Sequence, residues 1–142
     1  MKTSARNQLA GKVKSIKPGA VNDEIVISVG SGHDVVAIIT AGSTEKLKLA
    51  QGSDVVALIK ASSVVLAADS GDLIFSARNQ FSGAVAAATK GAVNADVVID
   101  VGEGVQIGAI ITNTSFDNLD IQVGARVTAI FKASSVIVAA RA

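Results

Sequence analysis

The chain has 142 residues, 49% of them hydrophobic and 18% charged, with a formal charge of +1, no cysteine, tryptophan or tyrosine, and a single histidine. So balanced a charge gives no bulk attraction to nucleic acid or to an anionic membrane, the composition is globular, and without cysteine neither a disulfide framework nor a zinc–thiolate site can form. No apolar run approaches the ~20 residues of a membrane span and no charged-then-apolar leader opens the chain, so a soluble, cytoplasmic protein is expected.

The chain opens on Ser4-Ala5-Arg6-Asn7-Gln8, and the same five letters return at Ser76-Ala77-Arg78-Asn79-Gln80. Lys60-Ala61-Ser62-Ser63-Val64 likewise returns at Lys132-Ala133-Ser134-Ser135-Val136, and pairing each residue with the one 72 later makes 32 of 70 pairs identical without a gap. Two tandem domains of about seventy residues follow, 1–69 and 73–142. Units this small leave much apolar surface uncovered, so a homo-oligomer is expected.

After the opening cluster, Leu9, Gly11 and Val13 alternate with Gln8, Lys12 and Lys14 as a half-buried strand. Gly19-Ala20-Val21-Asn22, repeated at Gly91-Ala92-Val93-Asn94, turns the chain into a second strand through Ile25, Ile27 and Val29. Gly30-Ser31-Gly32 closes a hairpin onto the apolar run Val35 to Thr40. Ser43-Thr44-Glu45 and Ser115-Phe116-Asp117 read as helix starts, with the helix running to Leu49 or Ile121 and ended by Gly52 or Gly124. A fourth strand over Val55 to Ile59, a corner at Ala61-Ser62 and a fifth strand from Ser63 to Ala68 complete the unit, and Asp69-Ser70-Gly71-Asp72 connects the copies. The expected fold is all-β: two tandem OB-like five-stranded β-barrels, each with one short helix between strands three and four.

The two halves have drifted, so the letters they still share form an internal comparison. Lys12, Lys14, Lys17 and Lys48 face Ala84, Ala86, Thr89 and Asp120, while Arg6 and Lys60 alone keep a basic partner, in Arg78 and Lys132. Joined to Ser4, Asn7 and Ser62 they make a set composed mostly of donors. A tetrahedral dianion without protons, such as molybdate, tungstate or sulfate, suits such a set. Monohydrogen phosphate would leave its proton without an acceptor, at about 1–3 kcal/mol. The Gly19 and Gly91 turns can aim N–H groups at an anion, or can be kept for shape alone. Thr40 with Ser43, and Thr112 with Ser115, read as strand-end and helix-cap hydroxyls. His33 faces Val105 in the repeat and reads as a solvated loop residue, and Glu24 and Asp96 read as acids on an exposed strand face with no partner for acid–base work. Four Phe make a poor stacking platform for single-stranded nucleic acid.

These motifs, with Ile-Thr-x-x-Ser before the helix, resemble the molbindin family, small cytoplasmic molybdate-binding proteins built of tandem Mop-type (TOBE) domains. The resemblance implies a non-enzymatic protein, a trimer of two-domain chains, with no catalytic cofactor, no metal ligated directly by protein, and oxyanions held at interfaces between domains. A first kind of site carries over onto Ser4, Ala5, Arg6, Asn7, Lys60, Ala61 and Ser62, and onto Ser76, Ala77, Arg78, Asn79, Lys132, Ala133 and Ser134. A second kind carries over onto Gly19, Ala20, Val21 and Asn22, and onto Gly91, Ala92, Val93 and Asn94. Storage or homeostasis of molybdenum is the function this implies, with an anion-responsive regulatory module as the alternative and no nucleic-acid or membrane partner.

Overall fold

In a computed structural model, residues 2–68, 71 and 73–141 are described. The connector residues Asp69, Ser70 and Asp72 and the outermost domain limits lie outside them. The first repeat gives β1 (Asn7–Lys17), β2 (Asn22–Val29), β3 (His33–Thr40), α1 (Ala41–Lys46), β4 (Asp54–Ile59), a 3-10 turn (Ala61–Ser63) and β5 (Val65–Ala67). The second gives β6 (Asn79–Lys90), β7 (Asn94–Gly102), β8 (Val105–Thr112), α2 (Asn113–Asn118), β9 (Arg126–Phe131), a 3-10 turn (Ala133–Ser135) and β10 (Ile137–Ala140). The strands form two five-stranded antiparallel sheets, ordered β10-β4-β1-β2-β3 and β5-β9-β6-β7-β8.

Sequence repeat and spatial unit therefore part company at the closing strand. One compact unit takes the chain as far as Ile59 and then from Lys132 onward, and the other takes Lys60–Phe131. β10 pairs with β4, Ile137 opposite Leu58, while β5 pairs with β9, Val65 opposite Ile130. Each sheet thus borrows its fifth strand and the 3-10 turn before it from the other repeat. Within its unit the 3-10 turn Ala133–Ser135 lies against β3, and Ala61–Ser63 lies against β8, so each sheet curls until its two edges approach.

The curl has a local cause written twice. β1 slips register between Val13 and Ser15, and β6 slips between Val85 and Ala87, so one residue bulges out and the strand bends from one partner to the other. Val13 N–H donates to Ser53 O at 2.9 Å and Gly52 N–H donates to Val13 O at 2.8 Å, with Val85, Ala125 and Gly124 repeating the arrangement. Two residues before each bulge the backbones approach too closely for a side chain. A Cβ at Gly11 would stand 2.2 Å from Ser28 O, and one at Gly83 would stand 2.1 Å from Asp100 O.

The inward positions are those the alternation assigns. Ile25, Ile27, Val35, Ala37 and Ile59 are buried in one unit, and Val97, Ile99, Ile107, Ala109 and Phe131 in the other. The helices differ from expectation at both ends. They start at Ala41 and Asn113, capped by Thr40 and Thr112, because each threonine Oγ1 accepts the N–H of Ser43 or Ser115 at 3.1 Å. They stop at Lys46 and Asn118, short of Leu49 and Ile121, because Lys48 and Asp120 take left-handed backbone at φ 53° and 52°. Gly52 and Gly124, at φ 92° and 91°, shape the next turn and do not end the helix. His33 is not a loop residue: it opens β3 opposite Val29 and is half-buried, as are Glu24 and Asp96.

Candidate functional site

The opening cluster divides into a brace and an outward face. Asn7 and Asn79 are 3% and 1% exposed, and Asn7 Nδ2 donates to Ile59 O at 3.2 Å, fixing the start of β1 against the end of β4. Gln8 Nε2 donates to Ala5 O at 2.9 Å, and Gln80 Nε2 donates to Ala77 O at 2.9 Å, holding the bend ahead of each strand. Ser4, Arg6, Ser76 and Arg78 remain on the surface, and Ala5 and Ala77 are half-buried. The closing cluster divides the same way. Ala61 and Ala133, each 4% exposed, anchor the 3-10 turns, while Lys60, Ser62, Lys132 and Ser134 face out. Ser63 N–H donates to Lys60 O at 3.0 Å and Ser135 N–H donates to Lys132 O at 2.9 Å, so the lysine sits where the turn begins.

Because the closing strands are exchanged, each unit combines an opening cluster with the closing cluster of the other repeat. Ser4 and Arg6 share a unit with Lys132 and Ser134, and Ser76 and Arg78 share one with Lys60 and Ser62. One direct meeting of candidates is visible: Asn22 and Ser134 line a groove of about 510 Å³ together with Thr40, Ser43 and Lys46. The Thr40 and Ser43 hydroxyls lie 2.8 Å apart, and Thr112 Oγ1 lies 3.0 Å from Ser115 Oγ. Thr40 and Thr112 are the helix caps, and the Thr40 and Ser43 hydroxyls also join the groove. The signal that could have found them is their own retention in both repeats beside a serine-bearing closing turn.

The glycine turns are tight. A Cβ at Gly19 would stand 2.2 Å from Asn22 O, and one at Gly91 would stand 2.9 Å from Asn94 O. Gly19 N–H donates to the buried Asp23 carboxylate at 3.1 Å, and Gly91 N–H donates to Asn94 O at 2.7 Å. Ala20, Asn22, Ala92 and Asn94 are exposed, as are Val21 and Val93 at 72% each. Glycine is therefore required here for shape, whatever else the turn does.

Several cations that differ between the repeats are paired on the surface: Lys12 with Asp54 at 2.7 Å, Lys14 with Asp34 at 2.8 Å, and Lys90 with Asp117 at 2.9 Å. Lys12 beside Asp54 holds that carboxyl below its ordinary range, by hydrogen bond first and charge second. Among the described residues no group of three or more His, Asp or Glu is placed to hold a metal ion, and no helix is long and apolar enough to cross a membrane. Phe81 and Phe131 stack on each other inside their unit, 5.7 Å between centroids, which removes two of the four phenylalanines from any stacking surface.

A curled five-stranded sheet, written twice and closed by exchanged strands, with Arg and Lys/Ser clusters on its surface, defines a class of tandem β-barrel binding modules. The TOBE domain model matches residues 3–66 and 76–138, and the chain belongs to that family in its tandem Mop-type form. The molybdenum-pterin-binding protein MopA of Rhodobacter capsulatus is 45% identical over 139 residues, 98% of this chain and 52% of that protein. The molybdenum transport protein ModE of Herbaspirillum seropedicae is 42% identical over the same coverage. The chain thus spans about half the length of these relatives. A crystal structure of the cytoplasmic molybdate-binding protein ModG, with molybdate bound, superimposes with a TM-score of 0.96 at 40% identity over 99% of this chain and all of that one.

Proposed function

We propose that this protein binds molybdate, and the isosteric tungstate, without catalysing a reaction, at interfaces between domains of a homo-oligomer, in the cytoplasm, for storage or homeostasis of molybdenum. A trimer of two-unit chains is the assembly this reading takes. The observation that carries it is the make-up of the repeated surface clusters: Ser4, Arg6, Lys132 and Ser134 in one unit, and Ser76, Arg78, Lys60 and Ser62 in the other, supply cations and hydroxyl donors and no carboxylate. Guanidinium and ammonium on separate segments surround a tetrahedral dianion with charge-assisted donors, and a set made of such donors disfavours a protonated anion. Thr40, Ser43 and Asn22 add polar groups beside Ser134, and the Gly19 and Gly91 turns with Asn22 and Asn94 are the proposed second kind of site. The resemblance of the whole chain to ModG, whose structure holds molybdate, supports the same reading.

The test is calorimetric titration of molybdate in sulfate-free buffer. Changing Arg6 and Arg78 together to Ala lowers affinity at least about tenfold, the loss of one charge-assisted contact of roughly 1.5–3 kcal/mol, whereas His33→Ala leaves it unchanged. Equal losses from the two variants reject the assignment.

A further inference from the structure

The spatial units differ in charge more than the sequence halves do. Residues 1–59 with 132–142 hold nine Lys and Arg against five Asp and Glu, a net +4, while residues 60–131 hold four against seven, a net −3. Much of the surplus gathers at one corner of the basic unit. There the end of α1, the start of β4 and the end of β10 enclose a cavity of about 630 Å³ lined by Lys46, Lys48, Ser53, Asp54 and Arg141. An adjoining cavity of about 340 Å³ shares Asp54 and Arg141 and adds Lys12. Asp54, the sole carboxylate lining either, is taken by Lys12 at 2.7 Å. Lys46 and Lys48 have no ion-pair partner among the described residues, and Arg141 shares the charge of Asp54 with Lys12 without closing an ion pair on it. Ser53 Oγ accepts the Ala50 N–H at 3.0 Å, which leaves its proton available to donate outward.

Three cations against one carboxylate leave this wall positive, and a multiply charged anion neutralises it. The volume falls within the range of sites for small organic ligands, about 300–1,000 Å³, and is more than a single tetrahedral oxyanion fills. In the other repeat, positions 118 and 120 are Asn and Asp, so the corner exists once per chain. Lys46 and Leu47 also line the groove of Asn22 and Ser134, while Lys48, Ser53 and Arg141 belong to the corner alone.

We propose that this corner binds a compact polyphosphate, two or three linked phosphate groups held by Lys46, Lys48 and Arg141 with the Ser53 hydroxyl as a further donor. Titrating the full chain with inorganic triphosphate, and separately with ATP, both free of magnesium at low salt, gives one bound ligand per chain with an affinity that falls steeply as salt is added. Lys48→Asp with Arg141→Gln lowers that affinity at least about tenfold while molybdate binding and the thermal midpoint are kept. Asp already occupies the same left-handed backbone at position 120, φ 52° against 53°, so the fold tolerates it. Lys14→Ala with Lys17→Ala removes two charges elsewhere in the unit and costs less than about threefold. Tighter binding of ATP assigns the wall of Leu47 and Ala140 to its nucleoside, and tighter binding of triphosphate assigns the site to the inorganic chain. Absence of binding by both, or equal losses from the two double variants, overturns the proposal. A protein that bound triphosphate but no molybdate would overturn the proposed function and leave this site standing.

Discussion

The two units share most of their backbone path, apart from a register slip between Asp100 and Gly102 that β2 lacks, and differ in their surfaces. The bulge after Val13 recurs after Val85, the cap at Thr40 recurs at Thr112, and the left-handed residue Lys48 recurs as Asp120 at the same angle. Yet one unit carries +4 and the other −3, and a stacked pair, Phe81 on Phe131, replaces Leu9 and Ile59. What is common to both is of two kinds. Gly11, Gly19, Asn7, Gln8 and Ala61 set backbone path or fill tight space, whereas Arg6, Lys60 and Ser62 are exposed. The second kind is the one on which the proposed oxyanion site rests.

The comparison breaks most readily in the core. Phe131→Ala removes a ring 2% exposed and stacked on Phe81, and is expected to cost about 4 kcal/mol; Ile59→Ala at the matching place, 1% exposed, is expected to cost about 3 kcal/mol. Denaturant unfolding measures both, and a reversed order would mean that the aromatic pair adds nothing to its unit. The caps sharpen the likeness: Thr40→Ala and Thr112→Ala each cost about 1 kcal/mol and match each other, since the two bonds have one geometry. A loss at one threonine alone would show that the helices are held differently.

The smallest effect concerns the pair found in one unit only. Lys12 depresses the carboxyl of Asp54 below its ordinary 3.8 in the folded protein, so its contribution is present above that pH and is lost as pH falls through the lowered native value. Both side chains are well exposed, so Asp54→Asn is expected to leave the midpoint at pH 7 within experimental scatter and to flatten slightly the acid limb of stability against pH. A large loss at neutral pH would give this surface pair a weight that its exposure does not predict.

The strands and hairpin of each repeat are legible in the sequence because inward residues alternate in β1 and β2, and because Gly30-Ser31-Gly32 has little else to do. Helix ends are less so: nothing in the letters of Lys48 or Asp120 announces left-handed backbone, and the glycines further on drew the boundary too far. The exchange of closing strands is invisible for a physical reason. Val65-Leu66-Ala67 and Ile137-Val138-Ala139 carry one pattern, so either sheet accepts either strand, and sequence order favours the wrong one. Among the candidate site residues, Arg6, Lys60 and Ser62 stand on the surface as the repeat suggests, whereas Asn7, a donor on paper, is a buried brace, and the groove hydroxyls of Thr40 and Ser43 are masked by their evident capping role.

Native mass spectrometry with and without molybdate in sulfate-free buffer shows whether the repeated Arg and Lys/Ser clusters hold an oxyanion within an assembly. A trimer carrying several molybdates is expected, with fewer bound when Arg6 and Arg78 are both Ala. A molybdate-free monomer at saturating anion would contradict it and leave a duplicated barrel whose repeated surface charges serve some other ligand.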